Sequence, residues 1–192
     1  MSPLEWIAAA LGVANIALLV RRSVWNYPFG IAMVALYIVV FRDARLYAEA
    51  GLQVFFLAAQ AWGWVLWLRV KGDEDAGERG RVPVRWLDWP SRAVWLTVTA
   101  ALSLNLGWAL HRFTDAALPY ADSAIAGASV AAQILLALRR IENWMLWIAI
   151  DSAAILVYLS KDLYATAALY VLFLGFSVLG LREWIAAARA AR

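Results

Sequence analysis

The chain has 192 residues, 65% of them hydrophobic and 16% charged, with a formal net charge of +3 and a mean hydropathy of +0.68. An ordinary soluble domain carries about 45–50% apolar and about 25% charged residues, so this composition excludes one and places the chain in a bilayer. No cysteine and a single histidine, His111, exclude disulfides, thiolate metal sites and histidine metal sites.

Apolar stretches approaching the roughly 20 residues needed to cross a bilayer predict seven helices, at about 4–20, 26–41, 46–69, 92–110, 120–138, 142–159 and 163–182. The first has Glu5 where a signal peptide needs positive charge, so it is retained as a helix. The second is short, with Pro28 suited to a first turn and Trp25 and Tyr27 suited to the membrane interface. At its start Asn26 offers either a helix cap or a substrate contact.

The third helix carries Glu49, Gln53 and Gln60, with Trp64 and Trp67 toward one end. Gln53, Gln60 and Trp67 recur every seven residues and share a face. A glutamine amide suits a sugar hydroxyl or a carboxamide, although hydrogen bonding between helices is its usual role in membranes. Trp64 is either a deep aromatic contact for ligand or a packing residue.

The polar stretch from Lys71 to Pro90 reads as a linker. It is followed by a fourth helix containing Asn105 and a fifth containing Gln133, both candidates for hydrogen bonds between helices. In the sixth, Asn143, Trp147 and Asp151 recur every four residues, placing an amide, an indole and a carboxyl on one face. At 1.5 Å per residue Asp151 lies about 13 Å along that helix, near the midplane. An acid at that depth is a functional candidate, and the competing role is a buried brace to a neighbouring helix.

Residues 13–67 align without a gap on residues 130–184, and about twenty of the fifty-five pairs are identical. Among them are Arg22 with Arg139, Asn26 with Asn143, Gly63 with Gly180 and Trp67 with Trp184. The fourth helix has no counterpart, so the expected architecture is all-α and integral to the membrane, three plus one plus three. Its parts are a first bundle at 1–70, a cytoplasmic linker at 71–91, a linking helix and loop at 92–119, and a second bundle with tail at 120–192. An intervening single helix gives the two bundles the same orientation about an axis along the membrane normal, with a substrate path expected along it. Unequal pairs in the repeat, Gly30 with Trp147, Val34 with Asp151 and Gln53 with Tyr170, mark positions where specificity is expected.

Thirteen Lys and Arg residues fall on the side of the 1–2, 3–4 and 5–6 loops and the C-terminus, against four on the other. That asymmetry predicts an outside N-terminus and a cytoplasmic C-terminus. The arginines flank apolar spans, which argues against a nucleic-acid surface. Of the twelve tryptophans, Trp6, Trp25, Trp67, Trp86, Trp89 and Trp184 are expected in interfacial belts. Phosphate-loop, HExxH and GxSxG motifs are absent, which leaves passive or ion-coupled transport, or a seven-helix ligand sensor, as the function.

The segments VWNYPFGI (24–31), LYAEAGLQVFF (46–56), GWVLW (63–67) and residues 142–174 closely resemble the PnuC family of bacterial vitamin transporters, best known for nicotinamide riboside. The resemblance implies a SWEET-like arrangement, a homo-oligomer in the inner membrane and facilitated diffusion without a cofactor. It also implies a cytoplasmic riboside kinase that traps the substrate. Asn143 and Trp147 match the family's sixth-helix motif, and Gln53 its third-helix glutamine. Relatives carrying thiamine, riboflavin or deoxynucleosides leave the substrate open.

Overall fold

A computed structural model of the protein describes residues 3–43, 47–73, 81–114, 118–160 and 164–190. Among these residues seven helices follow in order: α1 (Pro3–Val20), α2 (Asn26–Asp43), α3 (Tyr47–Asp73), α4 (Trp89–Phe113), α5 (Pro119–Ala137), α6 (Glu142–Ser160) and α7 (Tyr164–Ala190). Helices α3 to α7 each contain a stretch long and apolar enough to cross a membrane, whereas the apolar part of α1, Trp6–Val20, is shorter. Helix α2 ends on Arg42 and Asp43.

Helix α3 runs past its expected end to Asp73, inside the expected linker, and two further boundaries depart from expectation for physical reasons. Helix α4 starts at Trp89 because Asp88 is its N-cap, accepting from the Ser91 N–H at 3.0 Å, with Pro90 in the first turn. Helix α7 continues past the apolar stretch to Ala190, since the alanines and arginines after Trp184 are strong helix formers whether or not lipid surrounds them.

The chain divides into two compact units. The first comprises Met1–Val84, Ala137–Arg139 and Arg182–Arg192, and the second comprises Arg85–Leu136 and Arg140–Leu181.

In the first unit α1 packs on α2 and α2 on α3. Helix α1 ends in a Schellman motif: the Ser23 N–H bonds to the Leu18 carbonyl at 3.0 Å and the Arg22 N–H to that of Leu19 at 2.8 Å. The left-handed residue of such a motif is usually glycine, yet here it is Arg22, at φ 57°. Its side chain offsets the backbone cost by donating Nη1 to the Val82 carbonyl at 3.4 Å, and the Val82 N–H returns a bond to the Arg22 carbonyl at 3.2 Å. Arg139, the repeat equivalent, has φ 59° and donates Nη1 to the Pro83 carbonyl at 3.4 Å. The segment around Val82 thus straps two repeat-related turns, and the buried Val82 and Val84 anchor it.

Beside the strap, Trp67 and Trp184 are both 0% exposed, with ring centroids 6.1 Å apart. Trp67 Nε1 donates to the carbonyl of Ala137, the last residue of α5, at 3.2 Å, and Trp184 Nε1 donates to Leu19 in the last turn of α1 at 3.3 Å. Trp67 thus supplies a donor to a carbonyl at the C-terminal end of α5, and Trp184 adds a second donor to the Leu19 carbonyl, which also accepts from the Arg22 N–H. The expectation that these two tryptophans belong to a lipid-facing belt is therefore wrong: they form a buried core, while Trp6, Trp25 and Trp89 are exposed. Tyr27 packs edge-on against Trp67 at 5.3 Å and over Gly63, where any side chain would collide with its ring.

In the second unit the repeat partners of that last pair meet in the same way, with Trp144 lying over Gly180. Helix α4 approaches α5 through Gly107, which faces Tyr120 and Ser123, and through Gly127, which faces Ser103. Small residues at such contacts let membrane helices come close.

Candidate functional site

The polar residues of the first unit converge on Gly30. Asn15 donates Nδ2 to the Asn26 carbonyl at 2.7 Å, joining α1 to α2. A Cβ at Gly30 would lie 2.5 Å from Gln60 Nε2 and 2.7 Å from Asn15 Nδ2, so both amides occupy the space that glycine leaves. Gln60 is buried, and its Oε1 has no hydrogen-bond partner. Gln53, two turns earlier on α3, and Trp64, one turn later, are both half-buried. The Glu49 side chain lies outside the described residues.

In the second unit Asn143 and Asp151 are buried on α6, with Trp147 half-buried between them along the same face. Asp151 Oδ2 accepts from the Ser177 hydroxyl at 2.9 Å, linking α6 to α7. No ion pair reaches Asp151 among the described residues. Asn143 Oδ1 is buried without a partner, as is Gln133 Nε2 on α5. Tyr170 on α7 is half-buried, with its ring 5.2 Å from Tyr158 and 5.7 Å from Phe173. An open amide acceptor, an indole and a carboxylate on one face can meet hydrogen-bond donors, a flat ring and positive charge respectively.

Asn26 and Asn143 do more than an N-cap does, and in the opposite sense. An N-cap side chain accepts from the helix, whereas these donate Nδ2 backward, Asn26 to the Ser23 carbonyl at 2.7 Å and Asn143 to the Arg140 carbonyl at 2.6 Å. The cause is the left-handed Arg22 or Arg139 just before, which turns that carbonyl toward the amide. Asn105 donates to the Ala101 carbonyl of its own helix at 2.7 Å, rather than to a neighbouring helix as expected.

The predicted residues therefore form two sets: Asn26, Gln53, Gln60 and Trp64 in the first unit, and Asn143, Trp147, Asp151 and Tyr170 in the second. The sequence reading missed Ser177. The signal was present, because Ser177 is the repeat partner of Gln60, just as Ala132 is that of Asn15. Two amides over a glycine in one copy thus correspond to a serine and an alanine with Trp147 in the other, an exchange of volume within one layer.

Comparison with known proteins shows the family. The family model described as nicotinamide mononucleotide transporter matches residues 2–186. A nicotinamide riboside transporter PnuC of Escherichia coli is 29% identical, with 97% of this chain and 87% of the relative covered. The riboflavin/roseoflavin transporter RibM of Streptomyces davaonensis is 23% identical, with 94% and 83% covered. A crystal structure of the vitamin B3 transporter PnuC superposes with a TM-score of 0.80 at 24% identity, covering 97% of this chain and 82% of that one.

Proposed function

The chain belongs to the nicotinamide mononucleotide transporter family, and its relatives are transporters, so we propose that it imports nicotinamide riboside across the bacterial inner membrane. The observation that carries the choice of substrate is Asp151, buried and without a cationic partner among the described residues. Nicotinamide riboside brings its own cation, a flat pyridinium, together with a carboxamide and a ribose. In this reading Asp151 is the counter-charge, Trp147 stacks on the ring, and Asn143 Oδ1 accepts from the carboxamide or a hydroxyl, with Tyr170 contributing a further aromatic surface. The first unit's Asn26, Gln53, Gln60 and Trp64 are proposed as a separate set of substrate contacts within that unit.

Transport is by facilitated diffusion, with a cytoplasmic kinase phosphorylating the product so that it cannot return. The helices follow the three-plus-one-plus-three plan with the N-terminus outside, which the repeat and the thirteen-to-four charge asymmetry support. The carrier works as a homo-oligomer.

A second reading, riboflavin transport, is favoured by the riboflavin carrier among the relatives. It leaves Asp151 without a counter-charge, since riboflavin is neutral. Binding titrations of the purified protein with nicotinamide riboside, thiamine and riboflavin separate the readings. Tightest binding is expected for nicotinamide riboside, and tightest binding of riboflavin would replace this proposal with the second.

A further inference from the structure

The second unit holds a cavity of about 240 Å³ lined by none of the candidate substrate residues. Its wall is apolar where Trp95, Leu96, Leu135, Met145 and Leu146 line it, and Arg92 and Glu142 also border it. Glu142 is buried and fully engaged: its two oxygens accept from the Leu87 N–H at 3.1 and 3.2 Å, and one also accepts from Arg92 Nε at 2.8 Å. That pairing uses only the Nε of Arg92. The Nη groups donate to no protein acceptor among the described residues, and the guanidinium carbon sits 5.2 Å from the Trp86 ring centroid and 4.9 Å from that of Trp89.

A second cation stands nearby. Arg140 donates Nη1 to the Trp86 carbonyl at 3.4 Å, and its Nε is buried without a partner. Arg85, Arg92 and Arg140 against Asp88 and Glu142 leave one positive charge in excess at this end of the unit. The helix that forms one wall, α4, is apolar and exposed outward, with Val94 and Leu96 both more than half exposed. An apolar cavity that opens toward lipid, bordered by an arginine with unused donors and by indoles, combines the features that hold a phospholipid at the headgroup level.

We propose that this cavity binds an anionic glycerophospholipid, its phosphate on the free Nη donors of Arg92 and one acyl chain between α4 and α6. The arginine fork matches two phosphate oxygens. The excess positive charge selects a headgroup that carries no compensating ammonium.

Native mass spectrometry of the full chain, released from bilayers containing phosphatidylglycerol and phosphatidylcholine in equal amounts, tests this. One phosphatidylglycerol is expected to stay with each chain, retained about tenfold better than phosphatidylcholine, the size of one charge-assisted contact. Leu96→Trp and Met145→Trp fill the cavity without touching the Arg92–Glu142 pair, and each is expected to abolish the adduct. Arg92→Lys keeps the charge and is expected to weaken it about tenfold by losing the fork. Equal retention of both lipids, or an unchanged adduct in the filled variants, would overturn the proposal. So would displacement of the lipid by inorganic phosphate, which indicates a free-anion site, or crosslinking through Met145 to a second copy, which indicates a protein interface.

Discussion

At the scale of single residues, charge is the sharpest discriminator. Asp151 is hydrogen-bonded to Ser177, and that bond alone would suit a structural brace. The two roles separate with a pair of ligands of nearly the same shape: oxidised nicotinamide riboside, which is cationic, and its reduced dihydropyridine form, which is neutral. Asp151→Asn keeps the hydrogen bond to Ser177 but loses the charge. The oxidised form is expected to bind about tenfold more weakly or worse to the variant, while the reduced form binds as before. Equal losses for both ligands in a calorimetric titration would reduce Asp151 to a brace.

Arg22 offers a test of backbone chemistry. It holds a left-handed position that glycine fills at lower cost, so Arg22→Ala is expected to be less stable than Arg22→Gly by about 1 kcal/mol. Thermal denaturation in detergent measures the gap, and equal melting temperatures would deny the strain. Sequence periodicity placed Asn143, Trp147 and Asp151 on one helical face, but it could not see that the Asn143 amide would turn backward. That direction depends on the φ of Arg139, which composition does not encode.

At the scale of helices, the apolar stretches revealed nearly every span because lipid demands a run of apolar residues that little else in a chain supplies. Hydropathy reports the span and not the helix, which is why α7 outran its expected end. Tryptophan was harder to read. Trp67 and Trp184 look interfacial by position, and only their pairing in the repeat hinted at a shared internal role, that of closing the carbonyls of α5 and α1. Trp67→Ala or Trp184→Ala removes a wholly buried ring as well as a carbonyl partner, and about 3 kcal/mol or more of stability is expected to go with it. Trp25→Ala, at an exposed position, is expected to cost far less. Denaturant midpoints of the three variants check the ranking.

At the scale of the whole molecule, duplication explains both the resemblances and the differences between the two copies. The turns, the left-handed arginines and the two glycines beneath aromatic rings are preserved because they build the helical frame. The layer containing Gly30, Asn15 and Gln60 diverges from its repeat counterparts Trp147, Ala132 and Ser177, so the two copies are not equivalent there. Those substitutions were legible only once the repeat was aligned, and the partners they adopt, such as Ser177 with Asp151, required the fold.

As proposed, the carrier moves nicotinamide riboside down its gradient and needs no other energy source. Uptake of labelled nicotinamide riboside into sealed liposomes containing the purified protein, without ATP or an ion gradient, tests it most directly. The label is expected to equilibrate across the membrane, with uptake lost in Asn143→Ala and Trp147→Ala variants that remain folded and inserted. Binding without entry, or entry only when a proton or sodium gradient is imposed, would rule out facilitated diffusion of nicotinamide riboside.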